Sequence, residues 1–129
     1  MTDSVADMIV RLKNANLVFK PYTDVPWSGL KESILNVLKE EHYIKDWEII
    51  ESEGRKILRV HLLYLKKRPV ILKIRRISKP GQRVYVSAEE ISRKKQDSGI
   101  SVLSTSKGVM SSRKAIESNT GGELLFYIW

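Results

Sequence analysis

The sequence predicts an α+β protein: an N-terminal α-β-α-β-β module over residues 1–65, then a mainly β C-terminal module with one short helix over residues 66–129. Three observations carry this. Apolar residues recur at helical spacing in two early segments, and later segments alternate apolar with polar residues as strands do. Turn-forming pairs such as Glu53-Gly54 and Pro80-Gly81 separate the alternating runs. Charge changes sign along the chain. Residues 1–53 hold six Lys/Arg and ten Asp/Glu (−4), and residues 54–129 hold seventeen and five (+12), giving the net +8.

Each element has a local reason. Val5, Met8, Ile9 and Leu12 fall at i, i+3, i+4 and i+7, so a first helix is expected over Ser4 to Asn16, capped by Thr2, Asp3 or Ser4. Val18-Phe19-Lys20 reads as a short strand, broken by Pro21 and Pro26. Ser28 caps a second helix with Leu30, Ile34, Val37, Leu38 and Glu41 on one stripe. Tyr43 to Ser52 is a strand, Glu53-Gly54 its turn, and the next strand alternates Leu58, Val60, Leu62 and Tyr64 against Arg59, His61 and Leu63.

The second half begins after Lys66-Lys67-Arg68-Pro69, a basic run closed by proline. Val70 to Ile77 reads as a strand with one basic face, and Lys79-Pro80-Gly81-Gln82 as a type II turn. Arg83 to Val86 returns as a strand. Glu89 to Gly99 is a polar connection with room for a helical turn, and Gly99 to Leu103 is another strand. Ser111 or Ser112 caps a short helix reaching about Ser118, and Gly121-Gly122 turns into a final strand, Glu123 to Trp129.

Composition excludes several functions. At 42% hydrophobic residues over 129, the chain can bury a core. No cysteine is present, so disulfides, cysteine-ligated zinc and thiol catalysis are excluded, and a reducing compartment fits. No signal-peptide, lipidation or transmembrane pattern is found, and no membrane role is expected. The two histidines, His42 and His61, stand apart from any carboxylate cluster, so no metal and no cofactor is expected. Ser104-x-x-Lys107 has the spacing of penicillin-recognising enzymes without their other two elements. The chain is read as having no catalytic residues.

What remains is binding. Between Lys66 and Arg83 stand eight bases and no acid, the imprint of a polyanionic partner. Lys73, Arg75, Lys79 and Arg83 lie around one expected hairpin, where several could face one phosphate backbone. Tyr85 beside them is either a core aromatic or a stacking contact. Arg113 and Lys114 open the short helix, where an anion would favour them. The segment Leu103 to Met110 follows an apolar strand with Ser104, Thr105 and Ser106, then Lys107 and Gly108: an expected loop of short, uncharged donors and acceptors with a flexible backbone. Such a loop suits sugar hydroxyls and base edges. With no basic, fully exposed helix for a DNA groove, RNA is the expected partner. Glu123 is solvated, an acceptor for base amines, or a brace for the loop. Trp27, Trp47 and Trp129 are assigned to packing.

Several motifs then resemble a known family. Ile77-Ser78-Lys79-Pro80-Gly81-x-Arg83-Val84-Tyr85, Gly99-Ile100-x-Val102-Leu103-Ser104-Thr105-Ser106-x-Gly108-Val109-Met110, and Gly121-Gly122-Glu123-Leu124-Leu125-x-Tyr127-Ile128-Trp129 are similar to bacterial-type small-subunit ribosomal protein eight. Thr2-Asp3-x-Val5-Ala6-Asp7-Met8, with Arg11 and Asn14-Ala15, adds to it. The resemblance spans the chain. It departs at Ser4, at Ser111-Ser112 and at Asn119-Thr120. It implies a structural constituent of the small ribosomal subunit that binds the central domain of small-subunit rRNA and helps assemble the platform. Implied partners are that rRNA, neighbouring small-subunit proteins and its own operon's mRNA, with the chain a monomer in a cytoplasmic or organellar ribosome. It maps RNA contact onto Ser104, Thr105 and Ser106, supported by Tyr85, Gly122 and Glu123, and onto Lys31. The rival readings are a non-ribosomal RNA regulator or chaperone, and a hydrolase using Ser104 and Lys107.

Overall fold

The computed structural model describes residues 4–93 and 99–129. The cap positions Thr2 and Asp3 and the centre of the Glu89–Gly99 connection lie outside them. The chain forms two compact units, divided between Leu72 and Lys73.

In the first unit, α1 (Ser4–Leu17) buries Val5, Met8, Ile9, Leu12, Ala15 and Asn16. α2 (Gly29–Glu40) starts at Ser28, whose hydroxyl accepts the Lys31 N–H at 3.1 Å. It buries Lys31, Ile34, Leu35, Val37 and Leu38, while Leu30 is exposed. Strands β1 (Tyr22–Pro26), β2 (Ile44–Ser52) and β3 (Arg55–Leu62) make an antiparallel sheet of order β1-β3-β2. Glu53 and Gly54 both take positive φ, 51° and 74°, as a tight hairpin between β2 and β3 requires. β3 ends at Leu62, and Tyr64 opens a separate hairpin of β4 (Tyr64–Leu65) and β5 (Arg68–Pro69). The basic run at Lys66 is that hairpin's turn, with Lys66 and Lys67 both at positive φ.

The strand expected at Val18-Phe19-Lys20 is absent. Instead α1 closes with the Phe19 N–H on the Asn16 carbonyl and the Lys20 N–H on the Ala15 carbonyl, 3.3 and 3.0 Å. These paired bonds need a left-handed residue after the helix, and Phe19 supplies it at φ 58°. The strand begins after Pro21 and lies at a sheet edge, where Pro26 removes no ladder bond that a neighbour needs. α2 ends the same way on His42, φ 62°.

In the second unit, β6 (Ile74–Arg76), β8 (Ile100–Thr105), β9 (Gly108–Ser111) and β10 (Gly122–Ile128) run antiparallel in the order β6-β10-β8-β9, and β7 (Tyr85–Val86) also pairs with β10. Thus β6 meets β10 at Phe126–Ile128 and β7 meets it at Gly122–Glu123. A bulge in β10 at Leu124/Phe126 aims the Leu124 and Leu125 carbonyls at the N–H groups of Ser78 and Ile77, both 3.1 Å. Two short helices, α3 (Ala88–Arg93) and α4 (Ser112–Glu117), stand where one was expected. Leu103, Met110 and Ala115 form a core beneath them with Val86, Ile91 and Leu124. Ser111 is the cap of α4, accepting the Lys114 N–H at 3.2 Å.

Three further expectations are corrected. The strand expected over Val70–Ile77 shrinks to β6: Ile71 is buried and Leu72 exposed, against the alternation read from the sequence. The strand expected at Arg83–Val86 is only Tyr85–Val86. Lys79 and Gln82 do bond each other through N–H and carbonyl, both 3.0 Å, but Gly81 lacks the positive φ of a type II turn.

His42 sits exposed in a conformation that costs a side-chain-bearing residue about 1–2 kcal/mol. His42→Gly is expected to stabilise the protein by about 0.5–1 kcal/mol after glycine's extra unfolded-state entropy is subtracted. The check is urea unfolding, with a higher midpoint at unchanged slope.

Candidate nucleic-acid interface

The hydroxyl segment is a hairpin, not a loop. Ser104 and Thr105 end β8, Ser106 and Lys107 make the turn, and Gly108 opens β9 at φ 110°, a backbone that only glycine takes without strain. The three hydroxyls have different tasks. Thr105 Oγ1 accepts the Lys107 N–H at 3.1 Å and donates to the Gly108 carbonyl at 2.7 Å, so it shapes the turn. The Ser104 and Ser106 hydroxyls have no partner among the described residues. Both therefore keep a donor and two acceptor sites for another molecule.

Strand register gathers the other candidates around this hairpin. Glu123 in β10 lies opposite Ser104 on one side and Tyr85 on the other, and Ser104 lies opposite Val109. Directly opposed residues in antiparallel strands share a face, so Tyr85, Glu123 and Ser104 form one rank. Tyr85 is 68% exposed, which removes the core-aromatic alternative. The register is held tight at Gly122: a Cβ there would collide with the Ser104 carbonyl and approach the Thr105 methyl to 2.9 Å. At Gly121 it would lie 2.5 Å from the Val86 carbonyl. The double glycine is a site of close backbone approach.

Glu123 is a brace. Its side chain is only 15% exposed, and one carboxylate oxygen accepts from the Ser78 hydroxyl and, at 3.0 Å, from Arg83 Nη1. Ser78 Oγ in turn accepts the Val84 N–H at 3.2 Å, and Arg76 Nε donates to the Ser78 carbonyl at 2.6 Å. This network fixes the Lys79–Gln82 turn against β10. Burial by itself would raise the Glu123 pKa, but the Ser78 hydrogen bond and the Arg83 guanidinium outweigh it, so the carboxyl sits below its ordinary value of 4.5. Burial, then repulsion from Arg83, lowers the Arg76 pKa, and Glu123 opposes both. Sequence reasoning missed Ser78 and Arg76 as site residues. Ser78 lies within the Ile77–Tyr85 motif, but no local pattern shows it buried beneath Glu123.

The remaining candidates divide. Lys107, Lys79 and Arg83 are exposed at the two hairpin turns. Lys73 and Arg75 are exposed too but belong to the opposite end of β10. Arg75 pairs with Tyr127, about 13 Å along the strand from Glu123. Lys73 exchanges backbone bonds with Trp129 and holds its ammonium 5.3 Å from that ring. They do not share one hairpin tip with Lys79 and Arg83. Lys31 is in the first unit, 3% exposed, with its ammonium on the Pro26 carbonyl at 2.6 Å. Burial pushes its pKa down, Asp7 pulls it up and Arg11 pushes it down. Trp27, assigned to packing, is 41% exposed, with Nε1 on Glu32 at 2.9 Å and the Lys56 ammonium 5.1 Å from its ring.

Among the described residues, no three His, Cys, Asp or Glu side chains converge as a metal site, and no helix is long and apolar enough to cross a membrane. Fold and site together define an α+β protein with a hydroxyl-edged, basic sheet. A family model described as Ribosomal protein S8 matches residues 3–129. The chain is 47% identical over 129 residues to small ribosomal subunit protein uS8 of Dictyoglomus turgidum, covering 100% of this chain and 98% of that one. Over 137 residues it is 47% identical to uS8 of Thermus thermophilus, covering 100% and 99%. Over 130 residues it is 45% identical to uS8 of Geobacter sulfurreducens, covering 100% and 98%. The chain belongs to the ribosomal protein S8 family, a family of structural ribosomal components and not of enzymes.

The Glu123 brace sets a pH dependence. A carboxyl whose folded-state pKa lies below its unfolded value stabilises the fold above the unfolded value and loses that contribution as pH falls through the folded one. Glu123→Gln should cost about 1–3 kcal/mol at neutral pH and flatten the acid limb of stability below about pH 4.5. Thermal unfolding across that range checks it; parallel acid limbs would show that the brace carries no charge-dependent stability.

Proposed function

We propose that this chain is a structural constituent of the small ribosomal subunit that binds rRNA directly. The rank of Ser104, Glu123 and Tyr85 beside the hydroxyl hairpin is the observation that carries this reading. Cations at Lys79, Arg83 and Lys107 supply salt-sensitive attraction to phosphates, which is indifferent to sequence. Selection comes from the unpartnered hydroxyls of Ser104 and Ser106, matched to base edges and 2′-hydroxyls, and from the open Tyr85 ring, on which a nucleotide can stack. Thr105, Gly108 and Gly122 hold the hairpin in shape, and Glu123 with Ser78 holds the adjoining turn.

Family membership along the whole chain favours a ribosomal role over a free-standing RNA regulator or chaperone. On the resemblance, the RNA is the central domain of small-subunit rRNA, bound by one copy per subunit beside neighbouring small-subunit proteins during platform assembly. Its own operon's mRNA would compete for the same surface. The three relatives are bacterial, which supports a cytoplasmic ribosome and lends nothing to an organellar one.

The test separates the hydroxyls. Ser104→Ala with Ser106→Ala should weaken binding to a central-domain rRNA fragment by about tenfold or more, since each lost bond leaves a desolvated partner costing about 1–3 kcal/mol. Binding to an unrelated duplex and the melting temperature should stay as they are. Thr105→Ala should instead lower both stability and binding, with Thr105→Ser restoring them, because that hydroxyl serves the turn. Equal loss on both RNAs in the double variant would reduce the hairpin to a source of general affinity, and no loss on either would remove it from the interface.

A further inference from the structure

Half of the non-glycine positive-φ positions among the described residues gather at one place in the first unit. They are Phe19 (58°), Lys66 (52°) and Lys67 (61°); the others are His42, Glu53 and Asn119. Phe19 stacks on Tyr64, centroids 5.4 Å apart and planes at 24°. Tyr64 opens β4, and its hydroxyl donates to the Lys20 carbonyl at 2.6 Å, fastening the β4–β5 hairpin to the segment after α1. Lys66-Lys67 is the two-residue turn of that hairpin.

A two-residue turn with positive φ at both positions is the turn that asparagine and glycine fill with least strain. Here both positions are lysines and Arg68 follows. All three are exposed, and none has an ion-pair partner among the described residues. Phe19 is 55% exposed although a glycine would end α1 more easily. Phe19 is stacked on Tyr64 by one side of its ring and leaves the rest open. The Lys66 and Lys67 side chains, however, make no hydrogen bond, ion pair or ring contact among the described residues, so the strain kept at the two lysines marks side chains retained for binding. The partner they fit is a nucleic-acid strand: successive unpaired cations take phosphates, and an open aromatic face takes an unstacked base. An acidic protein segment would match the charges but makes less use of the adjacent ring.

We infer that the β4–β5 hairpin and Phe19 form a second RNA contact, in which Lys66, Lys67 and Arg68 hold a phosphodiester backbone and Phe19 stacks on a nucleotide. This rests on the RNA-binding function proposed for the chain and assigns it a site in the first unit.

The test uses a variant that suits the turn better while removing its charge. Lys66→Asn with Lys67→Gly should keep or raise the melting temperature, because both new residues accept positive φ. Binding of full-length small-subunit rRNA should weaken about tenfold. The log–log salt slope should fall by about 1.5 units, since two phosphates are no longer neutralised. Phe19→Asn, also compatible with positive φ, should weaken binding with the slope unchanged. If the wild type binds and the double variant matches it in affinity and slope, the second contact is refuted while the hydroxyl hairpin stands. If RNA binding is unchanged but incorporation into subunits fails only when other small-subunit proteins are present, the hairpin meets a protein and the RNA contact is refuted. A wild type that binds no small-subunit rRNA would overturn this inference together with the proposed function.

Discussion

Strand β10 is paired along both edges, and at Gly122 its neighbours come close enough to leave no room for a side chain. The rest of the second unit follows from that close approach. With Gly122 pressed against the Ser104 carbonyl, the next residue, Glu123, falls in register with Ser104 and Tyr85 together. Its carboxylate then reaches Ser78 and Arg83 and fastens the turn between β6 and β7. The bulge one residue further on turns two carbonyls toward Ile77 and Ser78 and completes the attachment. A larger residue at Gly122 would shift β8 and take Ser104 out of line with Tyr85.

That constraint explains how so few side chains can divide structural work from the binding proposed for the chain. A buried hydroxyl is satisfied within the protein, as at Ser78 and Ser111, and the half-buried Thr105 also bonds nearby backbone groups. Ser104 and Ser106 do not, although they flank Thr105. A rigid hairpin with two unsatisfied hydroxyls is already arranged for a partner, so little ordering entropy is lost when the partner arrives. Arg83 is partly committed to Glu123, which orients it, whereas Lys79 and Lys107 are exposed and hold no ion pair among the described residues.

Much of this is legible in the sequence because its causes are local. Apolar spacing places α1 and α2, Ser28 announces its helix as a cap, the Ser111-Ser112 pair contains the cap of the other, and Glu53-Gly54 announces its hairpin. What escapes depends on neighbours distant in sequence. The left-handed backbones at Phe19, His42, Lys66 and Lys67 carry none of the glycine that would signal them. Alternation overstates the strand at Val70–Ile77 because it does not show where pairing ends; only Ile74–Arg76 lie in register with β10. Ser and Thr favour turns, which makes the hydroxyl segment look like a loop, but pairing with Glu123 and Val109 holds Ser104 in a strand. Equal composition likewise hides the difference between Thr105 and its neighbours, which appears only once hydrogen bonds are traced.

If the hydroxyl hairpin chooses the RNA site, one surface of the chain is selective, and mapping that surface residue by residue in solution tests it most directly. Backbone amide shifts recorded while a central-domain rRNA fragment is titrated into the full chain should move most at Ser104 to Gly108, at Tyr85 and at Glu123, with smaller changes at Lys79 and Arg83. An unrelated duplex should move the basic residues alone. Shifts centred on Lys73 and Arg75, or spread evenly over the lysines and arginines for both RNAs, would contradict the claim that the hydroxyl hairpin chooses the site.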